Sequence, residues 1–131
     1  MYKSAASIQR LYEYSNNCQV EKDLYEPKAP QNWPTEGKIE FKGVSVRYRE
    51  KLPLVLDNIN FTIEGKQKVG IVGRTGSGKS TMLLVLTRCL EMQDETIKSG
   101  SYMKLDDVET HNIGLHELRK NITIIPQDPV M

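Results

Sequence analysis

Cysteine is scarce in this chain, long apolar runs are missing, and neither sign of charge predominates. The two cysteines, Cys18 and Cys89, stand far apart and match no metal-ligand spacing, which fits a reducing compartment. With 18 basic and 17 acidic side chains the formal net charge is +1, so there is no basic surface on which to argue for a nucleic-acid partner. No apolar stretch approaches the roughly eighteen residues of a membrane span. The start, Met1-Tyr2-Lys3-Ser4, lacks the apolar stretch of a signal peptide. The segment itself is therefore expected to be soluble, and its 131 residues suffice for one domain with a core.

Against that even background one stretch stands out. Gly73-Arg74-Thr75-Gly76-Ser77-Gly78-Lys79-Ser80 fits the phosphate-binding pattern G-x-x-x-x-G-K-[ST] at every fixed position. A phosphate chain carries several negative charges, and a loop holds it without bulky cations when successive backbone N–H groups point inward. Gly73, Gly76 and Gly78 are expected to adopt dihedrals that a Cβ would forbid and to let the main chain approach the phosphates. Lys79 then supplies a point charge for the β- and γ-phosphates, and the Ser80 hydroxyl is placed to ligate Mg²⁺. The apolar run Lys68 to Val72 predicts a parallel strand buried on both faces just before the loop. After it, Met82, Leu83, Leu86, Cys89 and Leu90 recur at helical spacing, predicting a helix from Lys79 to Leu90 whose positive dipole end faces the phosphates. Cys89 would then simply pack.

The remaining chain supplies the frame. Residues 4 to 14 read as a short helix with Ala5, Ile8, Leu11 and Tyr12 on one side, ending at Asn16-Asn17 and too short to stand alone. Ser15 to Gly37 is polar, carries Pro27, Pro30 and Pro34, has no period, and reads as an extended linker from something upstream. Ile39 and Phe41, then Val44, Val46 and Tyr48, alternate as strands, with Gly43 between them marking a bulge or bend. Ile59, Phe61 and Ile63 alternate as another strand, so an antiparallel β region feeds an α/β nucleotide core. Glu91 to Ser99 is polar and irregular. Met103, Leu105 and Val108 predict a short strand, Leu115, Leu118 and Arg119 a turn or two of helix. Ile122 to Ile125 is a second β-branched run of the buried parallel type, which Pro126-Gln127-Asp128-Pro129 ends.

These stretches together resemble the nucleotide-binding domain of an ABC transporter, within subfamily C, the multidrug-resistance-associated type. Asn32-Trp33-Pro34 with Gly37-Lys38-Ile39-Glu40-Phe41 looks like that subfamily's lead into its first strand. Leu56 to Ile63, Val69 to Thr81, Gly114-Leu115-His116-Glu117-Leu118-Arg119 and Ile125 to Pro129 occur in the family's order. The resemblance implies a P-loop NTPase of the ABC ATPase kind with an antiparallel β subdomain, cut at the Q-loop. It divides the chain into a helix over residues 1–17 that comes after a transmembrane domain, a linker over 18–37 and a partial nucleotide-binding domain over 38–131, from the N-terminal part of the second such domain. Position by position it makes Tyr48 the aromatic that stacks on adenine, a sensible role because a base offers a π-face; the lesser alternative on spacing alone is a half-buried strand tyrosine. It makes Gln127 the Q-loop glutamine near Mg²⁺ and the γ-phosphate, where residue type alone gives an ordinary loop glutamine. Gly73 to Thr81 would bind ATP, with Ser80 and Gln127 toward the metal.

The resemblance has gaps. The family's L-S-G-G-Q signature, Walker B aspartate with its catalytic glutamate, and switch histidine all belong beyond the Q-loop, and the chain carries none of them. Leu105-Asp106-Asp107 passes for a Walker B end only if Lys104 is ignored, since such a buried strand should be continuously apolar. His111 and His116 are expected to face solvent. With its sheet neighbours missing, the segment is expected to leave strand edges and an apolar face uncovered. The resemblance therefore implies an ATP-binding half-site of an exporter of organic anions or drug-like solutes, on the cytoplasmic face of a membrane. Its partners are the transmembrane domains and a second nucleotide-binding domain, and it is not a self-sufficient ATPase. Two other classes stay open: a complete small P-loop enzyme, though neither a guanine-reading N-K-x-D nor an acceptor-site arginine cluster occurs, and a non-catalytic fragment that pairs with another nucleotide-binding domain.

Overall fold

The computed structural model describes residues 2–18 and 21–125. Alternation of apolar and polar residues builds β1 (Ile39–Val46) and β2 (Leu56–Ile63), which pair antiparallel, and β3 (Tyr102–Leu105) and β4 (Val108–Glu109) extend them to a sheet ordered β2-β1-β3-β4. The two stretches expected before and after Gly43 form one strand. Gly43, at φ 62, sits where the register slips between Phe41 and Val44, and its N–H turns to the Asn60 Oδ1 at 2.8 Å. The bulge keeps Phe41, Val44 and Val46 all on the buried face. They meet Leu56, Met92, Met103 and Val85 of α2 (Lys79–Leu86) in the main core. Phe41 also stacks on Phe61, ring centroids 4.5 Å apart.

Several expectations need correction. Helix α2 stops four residues early, because the Thr87 hydroxyl donates back to the Leu83 carbonyl at 3.0 Å and Arg88 turns left-handed at φ 54. The buried positions of the helix are therefore Thr81 and Val85, while Leu83 and Cys89 are exposed. Helix α3 (Asp94–Lys98) forms in the stretch read as irregular, its five residues too few for any period to show. Lys68 to Val72 and Ile122 to Ile125 are not strands among the described residues, and Val72 and Ile125 are about nine-tenths exposed. A strand exists only against a ladder partner, and no described strand lies beside either run. Of the two histidines, His116 is exposed, with its ring 5.5 Å from Tyr25, but His111 is largely covered and its Nε2 faces Glu109 at 3.5 Å.

Helix α1 (Tyr2–Asn17) is longer than expected and leaves Ile8, Leu11 and Tyr12 exposed. Residues 21–37 contain no helix or strand, yet they are strapped to the other end of the chain. Arg119, at the end of α4 (Leu115–Arg119), binds the Glu21 carboxylate through both terminal nitrogens at 2.7 and 3.1 Å. Its remaining bonds reach the Thr87 and Arg88 carbonyls just past α2. The amides of Gly114, Leu115 and His116, at the start of α4, donate to the Pro27, Asp23 and Leu24 carbonyls. This satisfies donors that a helix N-terminus otherwise leaves without partners. Further along, Trp33 donates its Nε1 to the Leu105 carbonyl at 2.9 Å.

Asp106 closes the strap. Its own backbone is left-handed, φ 52, in the turn between β3 and β4, and its carboxylate accepts the N–H groups of Thr35, Glu36 and Lys38 at 2.7, 3.3 and 2.8 Å. Burial pushes its pKa up, but the N–H groups of Lys38, Thr35, Glu36 and Gly37 outweigh that, and the net shift is below the ordinary 3.8. A carboxyl whose folded pKa is depressed contributes its stability above the unfolded value and loses it as pH falls through the folded one. Asp106→Asn keeps the residue's tolerance of left-handed backbone but removes the charge. It is expected to cost about 1–2 kcal/mol at pH 7, a cost that fades as pH falls through the depressed folded pKa, so urea unfolding of variant and wild type should converge on acidification. A gap that stays constant from pH 7 down would show that the carboxylate's charge is not involved.

Candidate nucleotide-binding site

The loop Gly73–Gly78 joins the exposed run after β2 to the first turn of α2. Two of its glycines, Gly76 and Gly78, use left-handed backbone at φ 81 and 88. At Gly78 the space is also taken: a Cβ there would lie 2.9 Å from Leu56 Cδ2 and 3.3 Å from the Val55 carbonyl. The start of β2 thus sets where the loop enters the helix. Gly73 departs from the expectation, since its φ is not left-handed. What it provides is room, because a Cβ there would meet Ser77 Oγ at 2.5 Å.

Lys79 folds back over its own loop. Its Nζ donates to the Gly73 and Arg74 carbonyls, both at 2.7 Å, while the Ser77 N–H reaches the Arg74 carbonyl at 3.1 Å. An ammonium carries three donors, so a third remains beyond the two that brace the loop. No side chain caps the start of α2, because Gly78 stands at the N-cap. An uncapped helix start with an ammonium one residue inside it is an arrangement suited to an anion of high charge.

Tyr48 lies across from the loop, two residues past the end of β1, half exposed, with its hydroxyl 3.0 Å from Thr81 Oγ1. Beside them opens a cleft of about 620 Å³, lined by Tyr48, Val55, Thr75, Gly76, Gly78, Lys79, Ser80 and Thr81. That volume suits a ligand of nucleotide size. Of the residues singled out in the sequence, the structure gathers these around the cleft. Gly73, Arg74 and Ser77 lie behind them as the acceptors and packing of the lysine. Gln127, with Pro126, Asp128 and Pro129, lies outside the described residues. Leu105-Asp106-Asp107 does not contribute: Asp106 spends its carboxylate on the strap, far from a catalytic role. Sequence reasoning missed Val55 and the bond from Tyr48 to Thr81, whose partners are 33 residues apart and carry no local pattern.

Comparison with known proteins bears on this arrangement directly. A family model described as "ABC transporter" matches residues 56–131. "Multidrug resistance protein mrp-7" of Caenorhabditis elegans is 46% identical over 126 residues, covering 95% of this chain and 8% of its own length. "ATP-binding cassette sub-family C member 3" of Mus musculus is 45% identical over 126 residues, again 95% and 8%. The "ATP-dependent bile acid permease" of Saccharomyces cerevisiae is 39% identical over 125 residues, 95% of this chain and 7% of that protein. The chain thus spans under a tenth of the length of these relatives, and each match takes in nearly the whole of this chain.

Proposed function

The chain belongs to the ABC transporter family, and from that premise we propose that it forms the P-loop half of an ATP site in a subfamily C exporter. The observation that carries this reading is the cleft itself, where an uncapped helix start, a braced lysine and a half-exposed tyrosine face one another. Gly76, Gly78 and the first turn of α2 would cradle the β- and γ-phosphates, with Lys79 as their counter-charge. Tyr48 would stack on adenine, and Thr75 and Thr81 would line the path between. Mg²⁺ would rest on the Ser80 hydroxyl and phosphate oxygens, in keeping with its habit of taking few protein ligands, with Gln127 as a further contact. The bound metal neutralises phosphate charge, which is the chemistry it supplies here.

Hydrolysis needs more than this. Turnover would belong to a sandwich of two nucleotide-binding domains, in which the partner completes the site. Helix α1, with its exposed apolar side, would be the tail that comes after a transmembrane domain, placing the site on the cytoplasmic face. Among the described residues no helix is long and apolar enough to cross a membrane. The transported solute would be an organic anion or drug-like molecule; the names of the relatives, a bile acid permease and a multidrug resistance protein, support that class.

Calorimetry of the chain with Mg-ATP tests the reading. Saturable one-to-one binding is expected, and Tyr48→Ala should weaken it by roughly tenfold, about the worth of one stacked base. A folded chain that binds no Mg-ATP would sink the half-site and favour a fragment whose role is pairing alone. Turnover by the chain alone would favour a complete small P-loop enzyme instead.

A further inference from the structure

Arg88 is 5% exposed, and its guanidinium joins two distant parts of the fold. It stands two residues past the end of α2. Its Nη1 donates to the Thr110 and Ile113 carbonyls at 2.9 and 2.7 Å, which bracket the 3₁₀ turn leading to α4, and its Nη2 donates to the Glu91 carboxylate at 2.8 Å. The third nitrogen is left over. Nε is buried and has no hydrogen-bond partner among the described residues, and the same holds for Nδ1 of His111. Both residues line one small cavity of about 10 Å³, shared with Glu91, Thr110 and apolar side chains that include Val85 and Met103. A buried polar atom without a partner is costly and uncommon; two of them at one cavity have a common remedy.

The chemistry of the cavity decides what joins them. Glu91 already meets the Arg88 charge, and its carboxylate, which also lines the cavity, repels an anion, while the guanidinium repels a cation. The ligand must therefore be neutral. His111 Nε2 faces the Glu109 carboxylate at 3.5 Å, which places the ring proton there and leaves Nδ1 as an acceptor. Thr110, 1% exposed, gives its hydroxyl proton to the Met103 carbonyl at 3.1 Å and keeps its lone pairs to accept with. One donor and two acceptors thus border a space of about one water molecule and nothing larger, and a buried water makes about three hydrogen bonds. We propose that this cavity is the binding site of a single ordered water, which accepts from Arg88 Nε–H and donates to His111 Nδ1 and the Thr110 hydroxyl. The water completes the guanidinium's bonds and makes His111 a member of the joint that fixes the end of the phosphate-loop helix to the turn before α4.

Water itself is the probe, seen by NMR from the isotope-labelled chain. In the wild type the Arg88 Nε–H proton is expected to show a cross-peak to the water resonance in laboratory-frame and rotating-frame Overhauser spectra. The two should have opposite sign, the mark of a water that stays on the protein longer than surface hydration does. The ring-nitrogen shifts of His111 should show Nε2 protonated and Nδ1 bare. His111→Phe removes the acceptor, so the cross-peak should be lost and the urea midpoint should fall, because the Arg88 Nε–H then stays unpaired. His111→Asn, whose side-chain oxygen reaches about as far along the chain as Nδ1, should restore both. A wild-type chain without the cross-peak, or with the His111 proton on Nδ1, overturns the proposal. So does a cross-peak that survives His111→Phe unchanged, or one that His111→Asn fails to restore. None of these outcomes depends on whether the chain binds Mg-ATP.

Discussion

Replacing Lys79 by alanine is expected to lower Mg-ATP affinity by a factor of roughly one hundred or more, with little change in the stability of the chain. The ammonium makes two bonds inside the loop, to the carbonyls of Gly73 and Arg74, which leaves one donor for a phosphate. Removing it deletes a charge-assisted contact worth about 1.5–3 kcal/mol to an anion and also the brace that holds the loop's first residues against the helix. The two losses compound, because a loop that is not pre-formed must be ordered on binding. Residues 73–77, which the ammonium braces, are exposed, however, so the folded core does not depend on that brace. Calorimetry and a thermal melt on the same sample check both halves. A tenfold loss or less would mean that the backbone N–H groups alone carry the phosphates, and a large drop in melting temperature would mean that Lys79 is structural.

The largest effect on stability is expected far from the cleft, at Gly114. Its backbone is extended, φ −60 and ψ 145, so any residue could adopt it. The constraint is contact: a Cβ there would lie 2.6 Å from the Tyr25 carbonyl carbon, 2.8 Å from the Leu24 oxygen and 2.9 Å from the Glu26 nitrogen. All three are main-chain atoms, and none can swing aside as a side chain does. Gly114→Ala must push the strap away and with it the bonds from Gly114, Leu115 and His116 to Pro27, Asp23 and Leu24. The expected cost is about 2–3 kcal/mol, read by urea unfolding, with faster hydrogen exchange at Leu115 and His116. A change under about 0.5 kcal/mol would show that the strap contributes nothing to folding.

What could be read from the residues alone was whatever is written locally. The phosphate loop, the bulge at Gly43, helices α1 and α4 and the alternation of β1 and β2 each declare themselves within a dozen residues. Helix α2 was found but its end was not, because the stop depends on a side-chain bond from Thr87 and a left-handed Arg88 that no apolar period marks. The runs at 68–72 and 122–125 are strand-like in composition, yet composition cannot supply the neighbour that turns such a run into a strand. The cleft was half legible. Its phosphate side comes from one motif, and its base side needed the resemblance to a family to pick out Tyr48. The bond from Tyr48 to Thr81 and every bond of the strap join residues distant in the chain, and pattern reading has no access to those.

That distance sets an order of events during synthesis. Glu21 and Arg119 are 98 residues apart, and a ribosome adding about 5–20 residues per second needs roughly 5–20 s to get from one to the other. For most of that time the stretch from Glu21 to Pro34 has been made and α4, on which its first part docks, has not. The hairpin of β1 and β2 can close in microseconds once both strands have emerged, so the nascent chain holds a formed sheet with an undocked leader hanging from it. Docking of that leader onto α4 is then the step that registers that the chain has been read as far as Arg119.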